Sequence, residues 1–303
     1  MTPSISKNDQ KLVALISEYK VLTVKQLSIL SQRSLQVVRR RNRAMEREGL
    51  ITTKMQGYGH GRGRPEELVF LTEKGIELSG DERSNFIGKA ENLFTDHHLL
   101  VNWFRIHLIH IERNMSQLSV KYFQPKVWNS RGSSSPPGRH STNKRDEKSV
   151  EFIPDGIFSI TCKEAEKKTL LFFLEVDMGT ETIVSQDRNP KDIRQKIVRY
   201  QALFRSGEYK KYESVFDSNL NGFRVLFLVN SFTRLISLCR LVREMPPSNF
   251  IWLTEQEQMF SHGLSAQIWA RGGLNEESPQ SILGPGLACE LPLLEIGDNS
   301  LTK

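Results

Sequence analysis

Residues 150–160 read VEFIPDGIFSI and residues 170–181 read LLFFLEVDMGTE. The polar segment CKEAEKK lies between them at residues 162–168, and the helical stretch IRQKIVRYQALF follows at 193–204. Two apolar runs that flank a short polar turn predict a β-hairpin. We expect Ala165 to lie near the centre of the turn, which fixes how the residues of the two strands pair.

Three carboxylates meet at one end of this predicted hairpin. The register places Asp155 directly opposite Glu175, and Asp177 shares the face of Glu175 because side chains alternate along a strand. Opposed Cβ atoms of an antiparallel pair lie roughly 4.5–5.5 Å apart. Like charges at that distance are destabilising, and burying them is costly unless a cation compensates. The sequence therefore requires a divalent metal, or a nearby Lys or Arg, beside these acids.

Composition limits the class of protein. The chain has 303 residues, of which 38% are hydrophobic and 25% are charged, which is typical of a soluble globular protein large enough for two domains. No apolar run approaches the ~20 residues of a membrane span, and the first residues lack a signal-peptide pattern. Cys162, Cys239 and Cys289 have neither zinc nor disulfide spacing. We therefore expect a cytoplasmic protein without a membrane partner.

The positive charge is concentrated in the first part of the chain. Residues 1–89 hold 16 Lys and Arg against 10 Asp and Glu, whereas residues 90–303 hold 26 against 25. A basic domain followed by a neutral one predicts a polyanion as the partner of the first. We therefore expect two domains with these limits, and a flexible polar loop at 129–149 within the second.

The first domain has the pattern of a helix-turn-helix followed by two strands. Asn8 or Asp9 is expected to cap a first helix, Thr23 a short second helix, and Ser34 a third helix that runs to Glu48 and is closed by Gly49. The β runs LIT and LVFLT follow, joined by the glycine- and arginine-rich tip GYGHGRGRPEE, and the helix EKGIELS comes last. This order resembles winged helix-turn-helix domains.

Arginines on the third helix and in the tip are the candidate DNA contacts. On the helix they follow one side, whereas Leu35, Val38 and Met45 point inward. An arginine-faced helix fits the major groove of DNA, and an arginine-rich tip suits phosphates or the minor groove. The alternative is a solvated basic face. The candidate contacts to double-stranded DNA are Gln36, Arg39, Arg40, Arg43 and Arg47 on the helix, and Arg62 and Arg64 in the tip.

Strands and helices alternate in the second domain, which predicts a partly parallel sheet covered by helices. The expected elements are a helix at 91–113, a strand at 118–128, the hairpin, a helix that begins near Pro190 after a cap at Asp187 or Asn189, a strand at 223–230, a helix at 233–245, a strand at 249–254 and a closing strand within 266–273.

This order of elements, αβββαβ, resembles the restriction-endonuclease-like PD-(D/E)xK fold. Pro154 and Asp155 match the first motif of that fold, while Glu175 and Asp177 match the second, with Asp where the fold has Lys. The resemblance implies a Mg²⁺ ion held by the three acids and a catalytic role for them.

The missing lysine of the second motif leaves two interpretations open. Lys196 could reach the acids from the following helix, as could Arg194, and serve as the catalytic lysine of a metal-dependent DNA endonuclease. Alternatively, the acids pair with Lys196 and Arg199 in a binding domain without chemistry.

The segments PDGIFSI, FFLEVDMGTE and KIVRYQ, following a winged helix, are similar to the replication-relaxation family of prokaryotic plasmid and mobile-element proteins. The similarity covers about residues 8–270. It implies DNA binding in replication or mobilisation, with replication or mobilisation proteins as partners. A DNA endonuclease and a transcriptional regulator remain alternatives, and a homodimer is expected if the protein reads paired half-sites.

Overall fold

The computed structural model describes nine segments of the chain: 6–56, 66–80, 95–123, 153–163, 168–185, 192–273, 278–289, 291–292 and 294. Helices and two sheets make a mixed α/β protein. Within these segments, none of the helices combines the length and the apolar character needed to cross a membrane.

The chain divides into two compact units. Unit 1 consists of residues 1–118, 256–268 and 280–303, and unit 2 consists of residues 119–255 and 269–279. The predicted boundary between residues 89 and 90 falls within 81–94, which lies outside the described residues, so the predicted domain limits stay a prediction.

The elements are as follows in chain order: α1 (Lys7–Tyr19), β1 (Val21–Thr23), α2 (Val24–Ser31), α3 (Leu35–Arg47), β2 (Ile51–Gln56), β3 (Glu66–Leu71), α4 (Glu73–Ser79), α5 (Thr95–Asn114), β4 (Leu118–Phe123), β5 (Gly156–Cys162), β6 (Thr169–Asp177), α6 (Ile193–Ser206), a 3₁₀ turn (Glu208–Tyr212), α7 (Glu213–Phe216), β7 (Phe223–Val229), α8 (Phe232–Arg243), β8 (Ile251–Glu255), α9 (Gln256–His262) and β9 (Ala270–Arg271).

The helices of unit 1 begin at capping side chains. Thr23 and Ser34 cap α2 and α3 as predicted, with Thr23 Oγ1 accepting the Gln26 N–H at 3.1 Å. The predicted cap of α1 at Asn8 or Asp9 is wrong, because the helix starts earlier and Ser6 caps it. Ser6 Oγ accepts the Asp9 N–H at 3.2 Å and donates to the Asp9 carboxylate at 2.6 Å. Asp9, in the first turn of α1, therefore bonds to the capping residue through both its backbone and its side chain.

The sheet of unit 1 has the strand order β1-β3-β2, with antiparallel pairs. The hairpin of β2 and β3 pairs Ile51 with Leu71 and, at its far end, Gln56 with Glu66. The tip between them, residues 57–65, lies outside the described residues. Strand β1 has only three residues, VLT, too few to give the alternation that identifies a strand in a sequence.

Helix α5 belongs to unit 1. Asn102 Nδ2 donates to the carbonyls of Tyr19 at 3.1 Å and Val21 at 2.7 Å, and Gln26 Nε2 donates to the Leu99 carbonyl at 2.9 Å. These side-chain amides donate to backbone carbonyls at the end of α1, in β1 and in α5. The hydrogen bonds therefore hold α5 against α1, β1 and α2.

Later segments of the chain also contribute to unit 1. The ring of Trp103 in α5 packs edge-on against Phe260 of α9, with centroids 5.7 Å apart, and His110 Nε2 lies 2.7 Å from the Pro292 carbonyl oxygen. Unit 1 is therefore built from residues that precede and follow unit 2 in the sequence.

Unit 2 is built on a six-stranded sheet with the order β4-β5-β6-β7-β8-β9. The predicted hairpin and its register are confirmed: β5 and β6 are antiparallel and pair Gly156 with Leu174 and Thr161 with Thr169. Strands β6, β7 and β8 are parallel and β9 closes the edge antiparallel to β8, so the partly parallel sheet is confirmed.

Helices α6 and α8 pack on the same face of this sheet. Ile197 of α6 and Leu238 of α8 share one apolar cluster with Phe173 and Phe227 of the strands. The cap of α6 is Asp192, whose Oδ1 accepts the Gln195 N–H at 2.9 Å. The helix thus begins at Ile193, later than predicted. The caps predicted at Asp187 and Asn189, like the loop predicted at 129–149, lie outside the described residues.

Candidate functional site

Helix α3 presents a polar side opposite its buried side. Leu35, Val38 and Met45 are buried as predicted, because α3 packs on the core of unit 1 through this stripe. The predicted DNA-contacting residues of the helix all lie on its exposed side: Gln36, Arg39, Arg40, Arg43 and Arg47.

The turn before α3 fixes where the helix starts. Gln32 ends α2 in the left-handed conformation with φ 54°, and Arg33 N–H donates to the Ser28 carbonyl at 3.1 Å. Ser34 then caps α3, its Oγ accepting the Val37 N–H at 3.4 Å. This tight connection places the first exposed residues of α3 directly after a rigid turn.

Arg41 differs from the other arginines of α3 because it points to α1. Its Nε donates to Asp9 Oδ1 at 2.7 Å, and its terminal nitrogen contacts the second oxygen of that carboxylate. Asp9 is 3% exposed. Burial alone would raise the pKa of Asp9, but hydrogen bonds from Arg41 and Ser6 and the charge of Arg41 more than offset this, so its pKa is lowered. The pair therefore joins α3 to α1 and leaves the outer arginines available.

The predicted contacts of the tip, Arg62 and Arg64, lie outside the described residues, so their role stays a prediction. The structure describes the strand residues next to the tip, where Lys25 lies 3.5 Å from the Glu66 carboxylate.

The three acids of unit 2 meet where the sequence places them. The confirmed register runs to Gly156 opposite Leu174, and the next residue, Asp155, accepts the Val176 N–H at its Oδ2 at 2.7 Å. Glu175 is 2% exposed and Asp177 is 4% exposed, whereas Asp155 is half-buried. Two of the acids are therefore deep in unit 2 and need compensation there.

The compensation for Glu175 comes from α6. Tyr200 donates its hydroxyl to Glu175 Oε1 at 2.6 Å, and Lys196 donates to Oε2 at 3.1 Å. Lys196 Nζ also lies 2.9 Å from the carboxylate of Glu181. The prediction that Lys196 reaches the acids from the helix is confirmed as a matter of position.

Burial and neighbouring charges together set the pKa values of this group of side chains. Burial raises the pKa of Glu175 to about 7, helped by the charge of Asp155 and opposed by Lys196 and Tyr200. Burial would lower the pKa of Lys196, but the charges of Glu175 and Glu181 outweigh it and raise that pKa. Burial also raises the pKa of Tyr200, so its hydroxyl stays protonated and can donate.

Asp177 is compensated by α8 instead. Arg234 Nε donates to Asp177 Oδ2 at 2.7 Å, and the Gly179 N–H donates to Oδ1 at 2.8 Å. A second nitrogen of Arg234 donates to the Glu181 carbonyl at 2.6 Å. Sequence reasoning missed both Arg234 and Tyr200. For Arg234, the available signal was the placement of α8 directly after a buried parallel strand, which brings its first turn to the end of the sheet where Asp177 lies.

Protein donors already contact two of the three acids. Both oxygens of Glu175 and both of Asp177 already accept hydrogen bonds from protein donors. In the segments that the structure describes, His, Cys, Asp and Glu side chains form no group of three or more that could hold a metal. Mg²⁺ binding by Asp155, Glu175 and Asp177, and catalysis by these acids with Lys196, stay predictions.

Comparison with protein families gives a match to the model described as replication-relaxation, over residues 13–218. The matched range includes α3 and most of the acidic site, but it ends before Arg234. Among curated proteins, none matches the chain.

Proposed function

Since this chain belongs to the replication-relaxation family, we propose that it binds double-stranded DNA through α3 and acts in the replication or mobilisation of a plasmid or mobile element. The observation that carries the proposal is the exposed row of four arginines and Gln36 on a helix whose other side is buried. Duplex DNA offers such a row both phosphates and the acceptor atoms of guanine.

The local architecture supports a winged helix-turn-helix as the DNA-binding element. Helices α2 and α3 are joined by a tight turn, and the hairpin of β2 and β3 follows α3 in the position of a wing. In such domains the second helix of the motif enters the major groove. Gln36, Arg39 and Arg40 lie in the first half of α3 and are proposed to meet base edges, while Arg43 and Arg47 meet phosphates.

For unit 2 we propose a PD-(D/E)xK-like arrangement that does not cut DNA. The order α5, β4, β5, β6, α6, β7 supports the likeness, although α5 packs in unit 1. Lys196, Tyr200 and Arg234 occupy the carboxylates that a nuclease would use for a metal. The acids then serve to hold α6 and α8 on the sheet.

Binding of labelled duplex DNA as a function of salt tests the proposed function. Replacing Arg39, Arg40 and Arg43 together with Ala should weaken binding and reduce the slope of log K against log salt by about 0.9 for each phosphate that is no longer neutralised. Replacing the exposed Lys7, Lys11 and Lys210 with Ala removes the same charge elsewhere and should change little. Unchanged affinity in a folded α3 variant would exclude α3 as the DNA reader.

A further inference from the structure

The helix layer of unit 2 is strongly basic, although the second part of the chain is nearly neutral. Its two long helices, α6 and α8, contain no Asp or Glu. Their cations are Arg194, Lys196, Arg199 and Arg205 on α6, and Arg234, Arg240 and Arg243 on α8.

Not all of these charges are available to a partner. Lys196 and Arg234 are engaged with the buried acids beneath the helices. The cations that remain exposed, and that form no ion pair with a carboxylate in the described segments, are Arg194, Arg205, Arg240 and Arg243.

The helix dipole accounts for some of these arginines but not for all. Arg205 and Arg240 lie near the C-terminal ends of their helices, where the dipole favours a cation. Arg194 lies in the first turn of α6, where the dipole disfavours one. The helix dipole therefore does not account for Arg194.

The exposed sides of the two helices form one surface. Near their first turns, Arg194 N–H donates to the Ile183 carbonyl at 3.2 Å and Arg234 donates to the Glu181 carbonyl, so both helices contact one short segment. Farther along, Gln201 Nε2 of α6 donates at 2.7 Å to the carbonyl of Met245, just after α8. We call the α6–α8 face the surface made by Arg194, Val198 and Arg205 of α6 with Phe232, Ile236, Arg240 and Arg243 of α8.

Exposed apolar side chains are mixed with these arginines. Phe232 is 62% exposed, the highest value among large apolar residues of the described chain, and Val198 and Ile236 are 43% and 41% exposed. Phosphates of a duplex offer nothing to such side chains, because the base faces are stacked inside the double helix. Single-stranded DNA presents phosphates and base faces together, and proteins bind it with cations and aromatic rings.

We propose that the α6–α8 face binds single-stranded DNA, with its arginines on the phosphates and Phe232 stacked on a base. This proposal rests on the proposed function, because a protein that reads a duplex site for replication or mobilisation acts where strands separate. It assigns the two kinds of DNA to two different surfaces: duplex to α3, and the single strand to unit 2.

The test uses the full chain and a fluorescent oligothymidine of about 20 nucleotides, longer than a typical single-strand site. Replacing Arg194, Arg205, Arg240 and Arg243 with Gln should weaken oligothymidine binding and lower its salt slope by about 0.7 for each phosphate that is no longer neutralised. Phe232→Ala should lower the affinity about 5- to 150-fold with the salt slope unchanged, and Phe232→Tyr should retain it. Duplex binding by these variants should stay at the wild-type level.

The matched control replaces Lys7, Lys11, Lys210 and Lys211, all exposed, with Gln. An equal loss of duplex and oligothymidine binding in the arginine variant would overturn the proposal in favour of a general phosphate surface. Wild-type oligothymidine affinity in both folded variants would exclude DNA from this face and leave an acidic protein as its partner.

The α3 variant distinguishes the two proposals. Loss of duplex binding in that variant, with oligothymidine binding retained, supports both. Duplex binding that survives the α3 substitutions would refute only the proposed function.

Discussion

Replacing Glu175 with Gln should change how the stability of the protein depends on pH. Burial raises the pKa of Glu175 to about 7 in the folded protein, from 4.5 for a solvated carboxyl. The folded state therefore holds this proton more tightly than the unfolded chain does. The resulting stabilisation is complete below pH 4.5 and is lost as the pH rises through 7. Gln cannot ionise, so the Glu175→Gln variant does not lose this stabilisation as the pH rises.

The size of the effect follows from the shift. A pKa difference of one unit corresponds to about 1.4 kcal/mol, so the full effect is about 3 kcal/mol. Most of it, about 2–3 kcal/mol, falls between about pH 5 and pH 8. The free energy of unfolding of Glu175→Gln, relative to wild type, should thus rise by about that amount over this interval.

Urea denaturation at several pH values, followed by circular dichroism, measures this difference. Titrating groups that do not interact with Glu175 are shared by the two proteins and cancel in the comparison. The matched control is Glu181→Gln, which removes a carboxylate from the same lysine. The Glu181 side chain is 41% exposed, whereas Glu175 is buried, so this control removes a carboxylate from the lysine without removing a buried one. A flat or falling difference for Glu175→Gln would refute the argument that burial controls this carboxyl.

Three further predictions concern the ion pairs and the metal. Arg234→Met should destabilise unit 2 by about 3–5 kcal/mol, because it leaves Asp177 buried without its cation, and adding Asp177→Asn should recover much of that loss. Urea denaturation of the two variants checks this, and equal stabilities would contradict it. Asp9→Asn should weaken duplex binding and lower the melting temperature, since it breaks the pair with Arg41 that holds α3 on α1. Wild-type values in both assays would show that the pair does not orient the helix. Finally, Mg²⁺ or Mn²⁺ should neither raise the melting temperature nor release heat in titration calorimetry, because protein donors occupy the acids; metal-dependent stabilisation that disappears in Glu175→Gln would establish the endonuclease alternative.

Local patterns account for most of the correct predictions. The hairpin register follows from a symmetric polar turn, so the pairing of β5 with β6 can be worked out from the chain itself. The caps at Thr23 and Ser34 depend only on neighbouring backbone groups. Lys196 is identifiable because helical spacing sets its direction relative to the apolar stripe of α6.

Interactions between distant segments could not be read in the same way. Arg234 reaches Asp177 only because β6 and β7 are parallel neighbours and α8 starts at that end of the sheet. Nothing in the spacing of the two residues indicates the contact. Likewise, α5 carries apolar side chains on several sides, and its packing in unit 1 depends on contacts with distant segments, such as the bonds made by Asn102 and Gln26.

The order in which unit 1 is assembled along the chain has a consequence for synthesis. Phe260, which packs on Trp103, is translated after the whole of residues 119–255. At about 5–20 residues per second, the ribosome needs roughly 7–27 s to make that intervening part. During this time the Trp103 side of α5 lacks its partner ring, while unit 2 already has most of its sheet. A nascent chain arrested before α9 should therefore expose an apolar surface that chaperones can bind, and fragments that end near residue 118 should be prone to aggregate for the same reason.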